Sequence, residues 1–309
     1  MLRLTAPAGE RLESAGRLEA YVAGAEANVA AALARLGIAT AWVSALPASP
    51  LGDRVARELT AAGVDLAFVE RVTDARLGLF FVELGSEPRA TRVWYDRAGS
   101  AFSRLETIDP SALAGAEFAV ISGITPAIGA ASRALAEAFV REAHAQGVRV
   151  CVDVNYRSLL WSADAAREGL AELLVDAAVV VCGERDARVV FGIDSEAGDA
   201  VQQLAERWAP AAEIVVLTRA DRGSDLFTDG ETIRRKAPDT RVIDRFGAGD
   251  AFTAGLLWAL LEGRAHSDAL EAATALAALK CTTFGDLARF GRDELEAAIR
   301  EQHGQAIMR

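Results

Sequence analysis

From residue 118 to residue 217 the sequence alternates between short apolar runs and longer stretches of helical periodicity, and few folds accept that rhythm. Runs at 118–122, 148–154, 177–182 and 213–217 have the length of buried strands. Between them, 130–146, 163–175 and shorter pieces up to Trp208 carry apolar residues on one helical face. Strand, helix, strand in that order needs crossovers that lay the strands parallel, with helices on both faces of the sheet. The predicted class is therefore α/β, one domain over 1–309 around a central, mostly parallel sheet. The tail reads as three helices, 251–261, 266–281 and 292–302.

The first third departs from this rhythm. Residues 26–36 predict a helix stopped by Gly37, 39–45 a buried strand, and 54–62 a helix stopped by Gly63. The runs 77–84 and 91–95 are separated by a polar stretch with Gly85 and Pro88 and no helix. They predict a hairpin, a candidate lid over a cleft. Residues 1–20 read as extended segments or loops, and Asp229-Gly230 marks a second hairpin.

Composition removes several functions. Net charge is -11, with no basic cluster, which disfavours nucleic acid. No apolar run reaches the roughly 18 residues a membrane helix needs, and no signal-peptide pattern is present, so neither membrane insertion nor export is expected. Cys151, Cys182 and Cys281 are widely spaced and read as reduced thiols of a cytoplasmic protein. Lysine occurs only at Lys236 and Lys280, neither in a P-loop pattern, and no dinucleotide fingerprint follows an early strand.

The chemistry concentrates at Gly247-Ala248-Gly249-Asp250, just before an apolar helical run. Glycines leave main-chain amides open to an anion, and the positive end of the helix dipole points at the same spot. A carboxylate beside an anion site suits proton removal from a hydroxyl during phosphoryl transfer. The same residues are also compatible with a tight turn in which Asp250 merely caps the helix. In open α/β sheets ligands bind beyond the carboxyl ends of the strands. Polar groups gather there: Ser122 to Thr125, Asn155 to Arg157, Gly183 to Asp186, and Thr218-Arg219.

These segments resemble a known family. Gly24-Ala25-Glu26-Ala27-Asn28, Tyr95-Asp96-Arg97, Ser122-Gly123-Ile124-Thr125-Pro126, Asp153-Val154-Asn155-Tyr156-Arg157 and the 243–250 segment stand in the order found in ribokinase-type (PfkB) sugar kinases. Within them, the branch acting on 2-keto-3-deoxygluconate is the most similar. The resemblance implies a ribokinase-like three-layer sandwich with a small β lid, formed by about 10–24 and 77–101. It implies transfer of phosphate from ATP, with Mg²⁺, to a terminal hydroxyl, with Asp250 as base and Gly247, Ala248 and Gly249 as the anion hole. It places Tyr95, Arg97, Ile124 and Arg157 around the acid end of the substrate. Gly24, Asn28 and Asp286 would meet its hydroxyls, and Thr218, Arg219 and Gly223 the nucleotide. The sugar acid and ATP are thus the expected partners, with a second copy of the chain joined through the lid.

Two departures stand out. The family begins with a strand and a Gly-Glu or Gly-Asp pair, whereas this sequence starts just after that point, so the first strand of the usual fold is expected to be missing and a sheet edge left open. The family's Asn-x-x-Glu, tied to magnesium, reads Gly183-Glu184-Arg185-Asp186 here, leaving Asp186 as an indirect metal candidate. The alternatives that stay open are a sibling kinase for fructose, tagatose or another keto acid, and a sugar-acid or nucleotide binder of low activity.

Overall fold

The computed structural model describes residues 1–194 and 199–302. In chain order the strands are β1 Leu2–Thr5, β2 Glu19–Val22, β3 Ser44–Pro47, β4 Val69–Val72, β5 Leu79–Glu83, β6 Arg92–Asp96, β7 Phe118–Ser122, β8 Arg149–Asp153, β9 Val179–Gly183, β10 Ile214–Thr218, β11 Ser224–Thr228 and β12 Glu231–Arg235. The helices are α1 Ala25–Arg35, α2 Pro50–Ala62, α3 Ile124–Ala127, α4 Ala130–Ala145, α5 Ala163–Leu174, α6 Glu184–Phe191, α7 Ala200–Trp208, α8 Ala248–Leu261, α9 His266–Cys281 and α10 Arg292–Gln302.

The principal sheet has the order β12-β11-β10-β9-β8-β7. Strands β7 to β10 are parallel, and β11 and β12 close one edge as an antiparallel hairpin. Alternate residues serve opposite faces, as the two-residue period of a strand requires. Val150, Val152, Val180 and Val215 pack under α4 to α7, whereas Cys151, Val179, Val181 and Val216 pack against α1, α8, α9 and α10. Helix-sheet-helix is the predicted three-layer arrangement. Helix α8 is apolar all round and buried from Asp250 to Ala259, with Trp258 fully enclosed. At Gly255 an added Cβ would stand 2.7 Å from the Ala272 carbonyl oxygen, so only glycine lets α8 and α9 approach this closely.

A second, four-stranded sheet, β2-β1-β5-β6, forms the lid. It contains the predicted hairpin, β5 against β6, and also Leu2–Thr5, a segment the sequence pattern leaves as extended or loop. Its inner face carries Phe80, Val82 and Ala23, and Tyr95 and Phe246 pack against them.

Among the described residues strands β3 and β4 pair only with each other. The predicted 39–45 strand is regular only from Ser44, with a single bridge at Ala41 upstream. On its open side β7 has no strand partner among the described residues. The Arg149 amide bonds to the Glu117 carbonyl, and the Gly123 amide to the Asp153 carbonyl. By parallel-ladder alternation, Phe118 and Val120 therefore turn their main-chain groups away from β8. Val43 and Ala45 of the β3 strip and Phe118 and Val120 of β7 line one continuous cavity. The open edge expected from the sequence thus faces the interior of the molecule.

Candidate active site

That cavity, about 1130 Å³, extends to the carboxyl ends of the parallel strands, where Asp153, Gly183 and Thr218 line it together with Gly247, Gly249 and Asp250. Gly247 is the N-cap of α8, with φ 80, a conformation that glycine adopts without cost. It is also sterically obligatory, since a Cβ there would lie 1.9 Å from the Asp286 carbonyl oxygen. The helix begins at Ala248, three residues earlier than the apolar run suggests. Asp250 thus sits in the first turn and does not cap it. The Ala248 amide bonds to the Arg245 carbonyl at 3.2 Å. Among the described residues the Gly247, Gly249 and Asp250 amides have no main-chain partner, so they remain available to an anion. A Cβ on Gly249 would meet nothing within 4 Å.

Asn28, in the first turn of α1, donates from Nδ2 to Asp250 Oδ2 at 2.6 Å. Both side chains are buried. Burial pushes the Asp250 carboxyl up to about 6, and the Asn28 hydrogen bond and Arg157 act in the opposite direction. A carboxylate poised there is a better base than a solvated one, yet still ionised at neutral pH. Asp153, at the end of β8, is pushed higher, to about 8, by burial and by the charge of Asp250. Burial likewise raises Asp286 to about 7 against the pull of Arg3.

The predicted substrate residues Gly24, Asn28, Tyr95, Arg97, Ile124, Arg157 and Asp286 all line this cavity. Arg97 lies over the Tyr95 ring, 5.8 Å from its centroid. Burial lowers Arg97 from its ordinary value, though a guanidinium stays charged. Among the described residues neither Arg97 nor Arg157 forms an ion pair, whereas Arg76, Arg89, Arg149 and Arg167 do. Two guanidinium groups outside any close ion pair thus share a cavity with a basic carboxylate.

The nucleotide candidates divide. Thr218 lines the cavity, whereas Arg219 and Gly223 do not. Arg219 is held by Asp225 at 2.6 Å and by Glu184 at 3.6 Å. Gly223, with φ 103, fits where a Cβ would lie 2.0 Å from the Arg235 carbonyl oxygen, which makes it a structural glycine of the β10–β11 turn. Asp186, in the first turn of α6, lines the cavity and accepts from the Tyr156 amide at 3.1 Å. It therefore shapes the loop that carries Arg157. Among the described residues no three metal-binding side chains converge. A magnesium ion would accordingly be held chiefly by phosphate oxygens and water, with Asp153 and Asp186 among the carboxylates that line the cavity.

Glu26 plays a part that its place beside Asn28 did not reveal. Its Oε1 accepts from Ser122 N at 3.0 Å, Ser122 Oγ at 2.7 Å and Thr125 Oγ1 at 2.8 Å. This clamps the turn that presents Ile124. A carboxylate in the first turn of a helix ordinarily reads as a dipole partner, which hid the long-range role.

A sequence profile of pfkB family carbohydrate kinases matches residues 2–289. The chain belongs to that family. This carbohydrate kinase is similar to a protein of Haloferax volcanii named 2-dehydro-3-deoxygalactonokinase, 39% identical over 97% of this chain and 94% of the relative. Among solved structures it is similar to a 2-dehydro-3-deoxygluconokinase from Thermotoga maritima, with TM-score 0.89, 31% identity, and 97% and 96% of the two chains covered. A PfkB family carbohydrate kinase from Listeria grayi matches with TM-score 0.89 and 32% identity over 96% of this chain and 97% of that one. The ribokinase-like fold expected from the motifs is borne out.

Proposed function

We propose that this kinase phosphorylates 2-keto-3-deoxygluconate at its terminal hydroxyl, giving the 6-phosphate, with ATP and Mg²⁺. The observation that carries the reading is the pair Arg97 and Arg157, free of ion pairs and facing the cavity that holds Asp250. A neutral sugar gives little reason to keep two guanidinium groups there with their forks unpaired; a substrate carboxylate does, because the guanidinium fork takes both its oxygens. Tyr95 and Ile124 flank that end. Gly24, Asn28 and Asp286 meet the hydroxyls, and Asp250 collects the proton of the attacking one. The Gly247, Gly249 and Asp250 amides hold the transferring group at the mouth of α8, where fixed dipoles act without reorganising. Ala248 contributes backbone shape. Thr218 faces the nucleotide, with Arg219 and Gly223 bracing its turn, and Asp186 acts on the metal only through the loop and water.

The names carried by the Thermotoga and Haloferax proteins support a keto-deoxy sugar acid. The second of these favours a specific alternative, the C4 epimer 2-keto-3-deoxygalactonate. A coupled assay with both epimers, fructose and tagatose decides. Turnover of fructose or tagatose above either acid overturns the proposal, and preference for the galacto acid selects the alternative. Binding of the acids by calorimetry without turnover identifies a binder of low activity.

The lid also serves as a surface between two copies of the chain. Among the described residues its outer strand β6 has one unpaired edge, and it carries Trp94, 45% exposed. A monomeric mass by light scattering at micromolar concentration refutes this. A cytoplasmic location accords with the three unpaired cysteines; no helix among the described residues is long and apolar enough to cross a membrane.

A further inference from the structure

Arg3 is among the largest fully buried side chains, and its charge needs an explanation. It stands on lid strand β1, yet its guanidinium reaches out of the lid. It donates from Nη1 to Asp244 Oδ1 at 3.2 Å and from Nη2 to Asp244 Oδ2. Its Nε lies 3.2 Å from Asp286 Oδ1, a charge contact without hydrogen-bond alignment, since both atoms otherwise lack a partner. Its guanidinium carbon lies over the rings of Tyr21 of β2 and of Phe246, 4.7 Å from each centroid.

What Asp244 does with its remaining capacity matters most. Its Oδ1 also accepts from the Phe246 amide and its Oδ2 from the Gly285 amide, each at 3.0 Å. Its main-chain carbonyl accepts from the buried Lys280 ammonium at 3.2 Å, which also bonds to the Thr283 carbonyl. One carboxylate therefore fastens the 244–247 turn to the 283–286 turn, and these two meet at Gly247, the N-cap of α8. The guanidinium is the only lid group bonded to Asp244 among the described residues. Its other neighbour, Asp286, lines the cavity.

We infer that Arg3 is a positioning residue for phosphoryl transfer, the rigid link through which the seat of the lid sets the aim of the anion-binding turn at Gly247. The inference rests on the proposed role of Asp250 and the α8 amides. A guanidinium does this where an ammonium would not, because it bonds one carboxylate in a fork while lying over two rings. Without it, β1 still pairs with β2 and β5, but nothing from the lid holds Asp244.

The test compares Arg3→Gln, Arg3→Lys and Arg3→Ala with the parent enzyme and with Asp250→Asn, each confirmed folded by circular dichroism at the assay temperature. Arg3→Gln is expected to lower kcat by about tenfold or more, the scale of one coupled network interaction, while the KM for ATP stays within about twofold. Arg3→Lys recovers only part of the loss. Millimolar methylguanidinium raises the kcat of Arg3→Ala and leaves the parent unchanged, since the ring-lined slot accepts a planar cation. Parental kcat in folded Arg3→Gln, or loss that merely tracks the unfolded fraction, overturns the inference. Should Asp250→Asn retain parental turnover, it is the reading of the site that fails, and the two failures are distinct.

Discussion

Asn28 Nδ2 and Asp250 Oδ2 lie 2.6 Å apart, joining the first turn of α1 to the first turn of α8 across 222 residues of chain. The bond holds the carboxylate at the mouth of a helix whose body is core. In the proposed reaction the other carboxylate oxygen takes the substrate hydroxyl.

Replacing Asp250 by Asn keeps the shape and removes the base. Turnover should fall at least about a hundredfold, with sugar-acid affinity little changed, the range found on loss of a general base. Steady-state kinetics beside calorimetric titration checks it. Affinity falling in step with turnover contradicts the role.

The pH profile follows from the same pair. Burial raises the Asp250 carboxyl to about 6, and the basic form is the active one, so turnover is retained above that pH and lost as pH falls through it. Asn28 stabilises the charged form. Asn28→Ala should therefore move the acid limb of kcat/KM to higher pH. An unmoved limb assigns it to another group.

Arg97→Ala and Arg157→Ala each delete a charge-assisted grip worth about 1.5–3 kcal/mol, or about ten- to a hundredfold in KM for the acid. Turnover at saturation changes less. An unchanged KM for the acid in both variants indicates a neutral sugar.

The two glycines of the turn should respond differently. Gly247→Ala forces a Cβ against the Asp286 carbonyl in a left-handed conformation, so both melting temperature and kcat fall, with strain of about 1–3 kcal/mol. Gly249→Ala adds a methyl where the protein has no neighbour, and should keep its melting temperature while losing kcat. Scanning calorimetry with kinetics separates them.

Hydrogen exchange reads the open edge of β7. The Val120 amide points away from β8, whereas the Ile121 amide belongs to the ladder, so Val120 should exchange at least about a hundredfold faster. Equal protection of the two amides by NMR contradicts the open edge.

The sheet was legible because period and length do not confuse a buried parallel strand with a crossover helix. β7 matches its apolar run to the residue, and β8, β9 and β10 differ only at their ends. The site was partly legible: Asp250, Asn28 and the two free arginines arrive in one cavity as their motifs imply. Arg3 was not. A basic residue in a four-residue strand near the chain start looks solvated, and its partner Asp244 lies 241 positions away. Arg219 shows a second thing local reading omits, since its place at a strand end says nothing of the ion pair it makes with Asp225.

The all-round burial of α8 separates two kinds of change this kinase can tolerate. Substitutions along its length reach the proposed proton acceptor and anion turn together with the centre of the molecule, so on that reading chemistry and stability are inherited as one unit. Arg97 and Arg157 instead project from the end of a lid strand and from a loop, where the backbone is free to be rebuilt. Acceptance of a new acid can therefore evolve at the periphery, with the transfer machinery left untouched.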